Sequence, residues 1–253
     1  MIAPVLALAL ALGAPGCALP RLADARPWRT GETLAFDLDL LGMVKAGTLE
    51  LTVERPMSGG RVVPLRARAR TGAGADALRA FAGVALSWVD ARTLLPERYH
   101  DEAEERGVHK VSDARIPRDG AEVHISYEYG EKRGEATFPR QGEVLDALSA
   151  IYYLRAAQLP PGERFCFDLI ANRRFWRLEG TVAAKPERVD TPAGRFDTLR
   201  VDAVARRADQ PAAPARPIHL WISTDARRLL VAAVSEVDLG PVRAMLSSVR
   251  GGH

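Results

Sequence analysis

From Glu32 onward, apolar and polar residues alternate with the period of two that marks a half-buried β-strand. Leu34, Phe36, Leu38 and Leu40 fall on one side of the first run, and Ala35, Asp37 and Asp39 on the other. After Gly42 and Gly47 the alternation resumes as Leu49, Leu51 and Val53 against Thr48, Glu50, Thr52 and Glu54. Pro56 to Gly60 reads as a turn. The next run sets Val63, Leu65, Ala67 and Ala69 against Arg66, Arg68 and Arg70. Further strands are expected at 86–90, 123–129, 165–170, 175–183, 198–205, 218–223, 229–237 and 242–249. Such alternation suits antiparallel sheet with one packed face and one wet face.

Two stretches break the period. Asp76 to Phe81 would make a short helix, and Val144 to Gln158 a long one. In the second, Leu145, Leu148, Ile151, Tyr152 and Leu154 recur at helical spacing, and Pro160-Pro161-Gly162 stops the run. Its apolar arc is wide, which predicts deep packing against the sheet. Ala208 to Pro217, with three prolines among alanines, reads as a long hairpin loop rather than a domain linker. Phe36, Leu49, Leu51, Leu148, Ile151, Trp221 and Leu246 are the expected core.

The N-terminal residues differ from the rest. Ile2 to Leu12 form an apolar run, broken by Pro4, that is too short to span a bilayer but suits a signal-peptide core. Gly13-Ala14-Pro15-Gly16-Cys17 resembles the lipobox of bacterial lipoproteins, in which the cysteine is acylated. It departs from that pattern in having Ala14 where Leu is preferred and no basic residue before the apolar run. A second cleavage point follows Ala23-Asp24-Ala25. The chain thus divides into a signal peptide at 1–16, a tether at 17–30 with Cys17 as the lipid attachment site, and one β-rich domain at 31–250. A cysteine followed by Ala18 rather than Asp points to the outer membrane, on the periplasmic side. If Cys17 is acylated or removed, Cys166 is left alone between Phe165 and Phe167, where it reads as a small buried hydrophobe.

The net charge of +3 comes from 35 basic and 32 acidic residues that are interleaved along the chain, so no nucleic-acid footprint stands out. Gly72-Ala73-Gly74-Ala75-Asp76-Ala77 matches a dinucleotide fingerprint, but the strand before it alternates with arginines, as a buried parallel strand does not. The histidines His100, His109, His124, His219 and His253 make no metal-ligand spacing. Asp101, Glu102, Glu104 and Glu105 lack the calcium-loop spacing and read as a solvated loop or strand end. No G-x-S-x-G elbow occurs. Neither an enzyme nor a cofactor is expected. On the long helix, Asp146 and Arg155 suit the N- and C-terminal ends of the macrodipole. They would equally serve, with Tyr152 and Tyr153, as polar anchors lining an apolar ligand cleft.

Five segments in order resemble the DUF3108 family of exported bacterial proteins, whose function is not established. They are Gly31 to Phe36, Leu94 to Tyr99, Leu145 to Arg155, Thr191 to Phe196, and Leu220 to Arg228. Leu230 stands where the family pattern would have proline. The resemblance implies a curved antiparallel sheet in an envelope protein and transfers no catalytic residue. The expected fold is therefore mainly β: a curved antiparallel sheet or half-barrel with one long helix packed on its concave side. The expected function is non-enzymatic, with a membrane anchor at Cys17 and a hydrophobic, lipid-like ligand lined by Asp146, Tyr152, Tyr153 and Arg155. The alternatives are a protein-interaction or assembly factor of the envelope, and a hydrolase with a dispersed site.

Overall fold

The computed structural model describes residues 18–40, 44–72, 80–171, 173–237 and 240–251. Among these, sixteen strands and one α-helix are seen. The strands are β1 (Thr33–Leu40), β2 (Val44–Val53), β3 (Val62–Thr71), β4 (Phe81–Asp90), β5 (Pro96–Glu105), β6 (Val108–Arg115), β7 (Glu122–Tyr129) and β8 (Lys132–Pro139). They continue as β9 (Val144–Asp146), β10 (Arg164–Ala171), β11 (Arg174–Val182), β12 (Glu187–Thr191), β13 (Gly194–Arg207), β14 (Arg216–Ser223), β15 (Leu230–Val237) and β16 (Gly240–Arg250). The helix α1 spans Ala147–Ala156.

All sixteen strands belong to one sheet. Its order is β8-β7-β6-β5-β4-β3-β2-β1-β16-β15-β14-β13-β11-β10-β9, with β12 added on β13. Every pairing is antiparallel except that of β9 with β10. The path ends at β8 and β9, so the sheet is open rather than a closed barrel. Its ends nevertheless meet: Phe138 of β8 stacks on Phe175 of β11, with ring centroids 5.3 Å apart. A small second core of Tyr99, Ile116, Val123, Ile125, Val144, Ile170 and Phe175 fastens the two ends together.

Pleat alternation explains which residues enter the main core. Leu34 and Phe36 pair with Leu51 and Leu49, and these with Ala67 and Ala69, so one continuous face is apolar. Phe36, Leu51, Leu148 and Leu246 are buried as expected, while Leu49, Ile151 and Trp221 are half-buried. Trp221 sits on the face opposite its buried neighbour Ile222, and its indole donates to Glu187 Oε2 at 2.9 Å.

The helix is shorter than the Val144–Gln158 expected. Val144 to Asp146 are drawn into the sheet as β9, paired with Asp168 to Ile170. The Asp146 side chain then caps α1, accepting from the backbone of Leu148 and Ser149, while Ser149 Oγ accepts from Asp146 N in a capping box. At the other end Ala157 is extended and bridges to Leu22. The helix packs on β3, β4, β9 and β10. Residues 18–30, expected as a tether, are docked along it. Ala23 N donates to Ala156 O, Gln158 N to Arg21 O, and Cys166 N to Ala18 O.

Asp101 to Glu105 form the C-terminal end of β5, with Glu105 buried rather than solvated. β3 pairs antiparallel with the next strand, β4, whereas a dinucleotide site needs a parallel crossover there; residues 73–79 lie outside the described ones. Phe81, expected to end a short helix, instead opens β4. Cys17 and the signal peptide at 1–16 also lie outside the described residues.

Candidate functional site

The four residues expected to line a ligand cleft are engaged within the fold. Asp146 Oδ1 accepts from Leu148 N and Ser149 N at 2.9 and 2.8 Å, and Oδ2 from Ser87 Oγ at 2.6 Å. Burial pushes its carboxyl group up, against the pull of those hydrogen bonds. Arg155 forms a bidentate pair with Glu32, at 2.7 and 3.1 Å, and donates from Nε to Arg228 O at 2.8 Å. Its guanidinium also lies over the Trp28 and Tyr152 rings, at 5.2 and 5.1 Å. Tyr152 is fully buried edge-on to Trp28, with its hydroxyl unpartnered, and burial raises its pKa. Tyr153 donates to Pro20 O at 3.0 Å. These side chains staple α1 to the N-terminal segment and to the β14–β15 turn. None of them lines either of the two pockets described next.

Open space lies elsewhere. A pocket of about 120 Å³ sits by Leu95, Ile116, Arg118, Arg140 and Val144. A groove of about 840 Å³ crosses β1 to β6, far larger and open to solvent. Its lining holds two cross-strand rows, Ala35-Glu50-Arg68-Val84-Glu102 and Thr48-Arg70-Ala82-Glu104-His109, with Leu49, Ala69, Gly83 and Ala103 in the strands between them. Of its lining, Arg68, Arg70, Ala82, Val84, Glu102, Glu104 and His109 are exposed. Glu50 in the groove is paired with Arg250 at 2.6 Å, and His109 lies 3.7 and 3.8 Å from Glu102 and Glu104. Arg68 and Arg70 have no ion-pair partner among the described residues, whereas Arg66 on the same strand pairs with Glu54. Arg68 and Arg70 thus lie near the middle of the groove outside any ion pair, with Glu50 opposite Arg68 and with Glu102 and Glu104 further along.

A second unused cluster lies between the sheet ends. Asp101 and Ser112 are direct cross-strand partners on β5 and β6, and Asp101 Oδ2 and Ser112 Oγ are both buried without a hydrogen-bond partner. Burial lifts the Asp101 carboxyl to about 6, opposed by Arg173, His100 and the Tyr99 hydroxyl and assisted by the charge of Asp146. The folded chain thus holds this proton more tightly than the unfolded one. The stabilisation is complete below the unfolded value of 3.8 and is lost as pH rises through about 6. Asp101→Asn should accordingly raise stability near neutral pH by about 2 to 3 kcal/mol, and flatten the dependence across that window. Urea unfolding on both sides of it measures the difference. An unchanged midpoint at neutral pH would show the carboxylate to be well solvated.

Other polar groups have structural partners. Asp90 is held down to about 2: burial alone would raise it, but hydrogen bonds from Thr93, Arg118 and Arg92 at the β4–β5 turn prevail. His219 Nδ1 lies 2.6 Å from Asp202 on a neighbouring strand, rather than free in solvent. Among the described residues no three His, Cys, Asp or Glu side chains group as a metal site, and no helix is long and apolar enough to cross a membrane. Cys166 departs from its expected role: it is half-buried, disulfide-bonded, and 3.5 Å from Arg177 Nη2.

No curated protein matches the sequence. Among solved structures, a β-barrel-like protein of the domain of unknown function DUF1849 from Brucella abortus is similar in fold. Its TM-score is 0.58 at 12% identity, over 88% of this chain and 98% of that one. A protein from Bacteroides fragilis described as exported, with a YmcC-like fold, gives a TM-score of 0.31 at 8% identity, over 94% of this chain and all of that one. A chain described as a lipoprotein, from Parabacteroides distasonis, gives 0.32 at the same identity and coverage. Those two likenesses are too distant to carry an argument. The family model of a protein of unknown function, DUF3108, matches residues 35–247. With that match running from β1 into β16, the chain belongs to the DUF3108 family.

Proposed function

We propose that this protein is a non-enzymatic component of the bacterial envelope that binds an acidic, extended segment of another envelope protein in the groove across β1 to β6. The observation that carries the reading is the groove itself: about 840 Å³, open, with Arg68 and Arg70 in its lining and engaged in no ion pair among the described residues. Guanidinium groups outside an ion pair favour a carboxylate partner by complementarity. The apolar run Ile2 to Leu12 supports export. The lipid-like ligand is the weaker reading, because Asp146, Tyr153 and Arg155 already spend their polar groups on α1 and its neighbours.

A photo-crosslinking residue at Val84, which is 37% exposed inside the groove, tests this in the intact envelope; one at Met57, 48% exposed outside it, is the control. One protein adduct should form from Val84 and not from Met57. Arg68→Glu with Arg70→Glu should reduce its yield at least tenfold. A lipid adduct at Val84 would restore the ligand reading, and an adduct indifferent to charge reversal would refute the groove.

A further inference from the structure

The residue after Cys17 is fixed on the body of the protein: Ala18 O accepts from Cys166 N at 3.1 Å. Cys166 is disulfide-bonded, and the sequence contains only two cysteines. We propose that Cys17 is the partner of Cys166, so that this cysteine is a covalent staple between the start of the exported chain and β10 rather than a lipid anchor. The inference rests on export but not on the groove.

The chemistry makes the two fates exclusive. Acylation converts the Cys17 sulfur to a thioether, which cannot join a disulfide. Stapling instead oxidises two thiols to one S–S bond, releasing two protons and two electrons. The acceptor is the disulfide of an envelope thiol–disulfide oxidoreductase, which is reduced to a dithiol through a mixed disulfide. The Arg177 guanidinium, 3.5 Å from Cys166 Sγ, favours the attacking thiolate. The docked segment has its own reasons to stay in place. Tyr153 donates to Pro20 O, Leu22 bridges Ala157, Trp28 is buried, and Glu32 is paired with Arg155. The staple closes a loop of about 150 residues, in the range where a cross-link restrains the unfolded chain most.

The departures of the lipobox fit this assignment: Ala14 replaces the preferred Leu, and Pro15 precedes Gly16. A cut at or before Gly16 keeps Cys17, and the product would then be a soluble periplasmic protein.

Full-length protein exported with its own leader, purified without reductant and treated with iodoacetamide, separates the alternatives by intact mass. The expected result is no alkylation before reduction and two alkylated cysteines after it, with no acyl mass. Cys166→Ser should lower Tm by roughly 10 °C and leave Cys17 open to alkylation. Diacylglyceryl mass on Cys17, alkylation of Cys166 without reduction, or a mature N-terminus at Arg26 would each overturn the proposal.

Discussion

Glu32→Ala should destabilise the protein by about 3 to 5 kcal/mol, the cost of stripping a buried charge of its partner. Glu32 is 4% exposed and Arg155 is 1% exposed, so water cannot replace the lost carboxylate. The damage is compounded by Arg228, whose guanidinium is already depressed, first by burial and then by the charge of Arg155. Without Glu32, two neighbouring cations would share a shielded space. Replacing both partners, as Glu32→Met with Arg155→Met, should recover much of the loss, because the pair's desolvation cost disappears with its attraction. Recovery should remain incomplete, since the Arg227 and Arg228 carbonyl oxygens lose donors as well. Denaturant unfolding followed by the fluorescence of Trp28, which packs on Arg155, reads both variants. A single-variant loss below about 1 kcal/mol would mean that the pair reaches solvent.

Leu148→Ala should cost about 2 to 5 kcal/mol, the range for large-to-small changes in a packed interior. Leu148 is 3% exposed and lies between the Asp146 cap and the sheet. Ile151, three residues on, is only half-buried, and its truncation should cost about 1 kcal/mol because solvent already reaches that side chain. The contrast reports which side of α1 meets β3 and β4. Equal losses at the two positions would mean that the helix is rotated from the orientation described.

Where inward positions are large and apolar, the strands are legible from alternation alone: β1 to β4, β7, β10, β11 and β13 to β16. The strands that escaped notice have small or polar inward residues. On β5 these are Tyr99, Asp101 and Ala103, facing Ala114, Ser112 and Lys110 on β6, and on β8 they include Gly134 and Ala136. Of these only Tyr99 and Ala114 belong to the minor core. The strand β9 was hidden for another reason: Val144 and Leu145 also satisfy the helical spacing, and only tertiary pairing with β10 draws them out. For the candidate site, Asp146 and Arg155 were readable as end charges of a helix. Nothing in sequence could tell that Arg155 would meet Glu32, more than a hundred residues away. The arginines of β3 were visible only as an outward face. Their lack of acidic partners depends on which residues β2 and β4 place beside them.

The pairing of β1 with β16, Thr33 opposite Arg250, joins the two ends of the chain at the middle of the sheet. Neither half can finish without the other, so the contacts with the longest loops to close come at the seam, where ordering is slow. A chain still emerging from the ribosome lacks β16 and leaves the outer edge of β1 unpaired. Such a chain stays incomplete until β16 is delivered, and it also stays open to pairing with other exposed strands. Productive folding is therefore timed by the delivery of β16 to the waiting edge of β1.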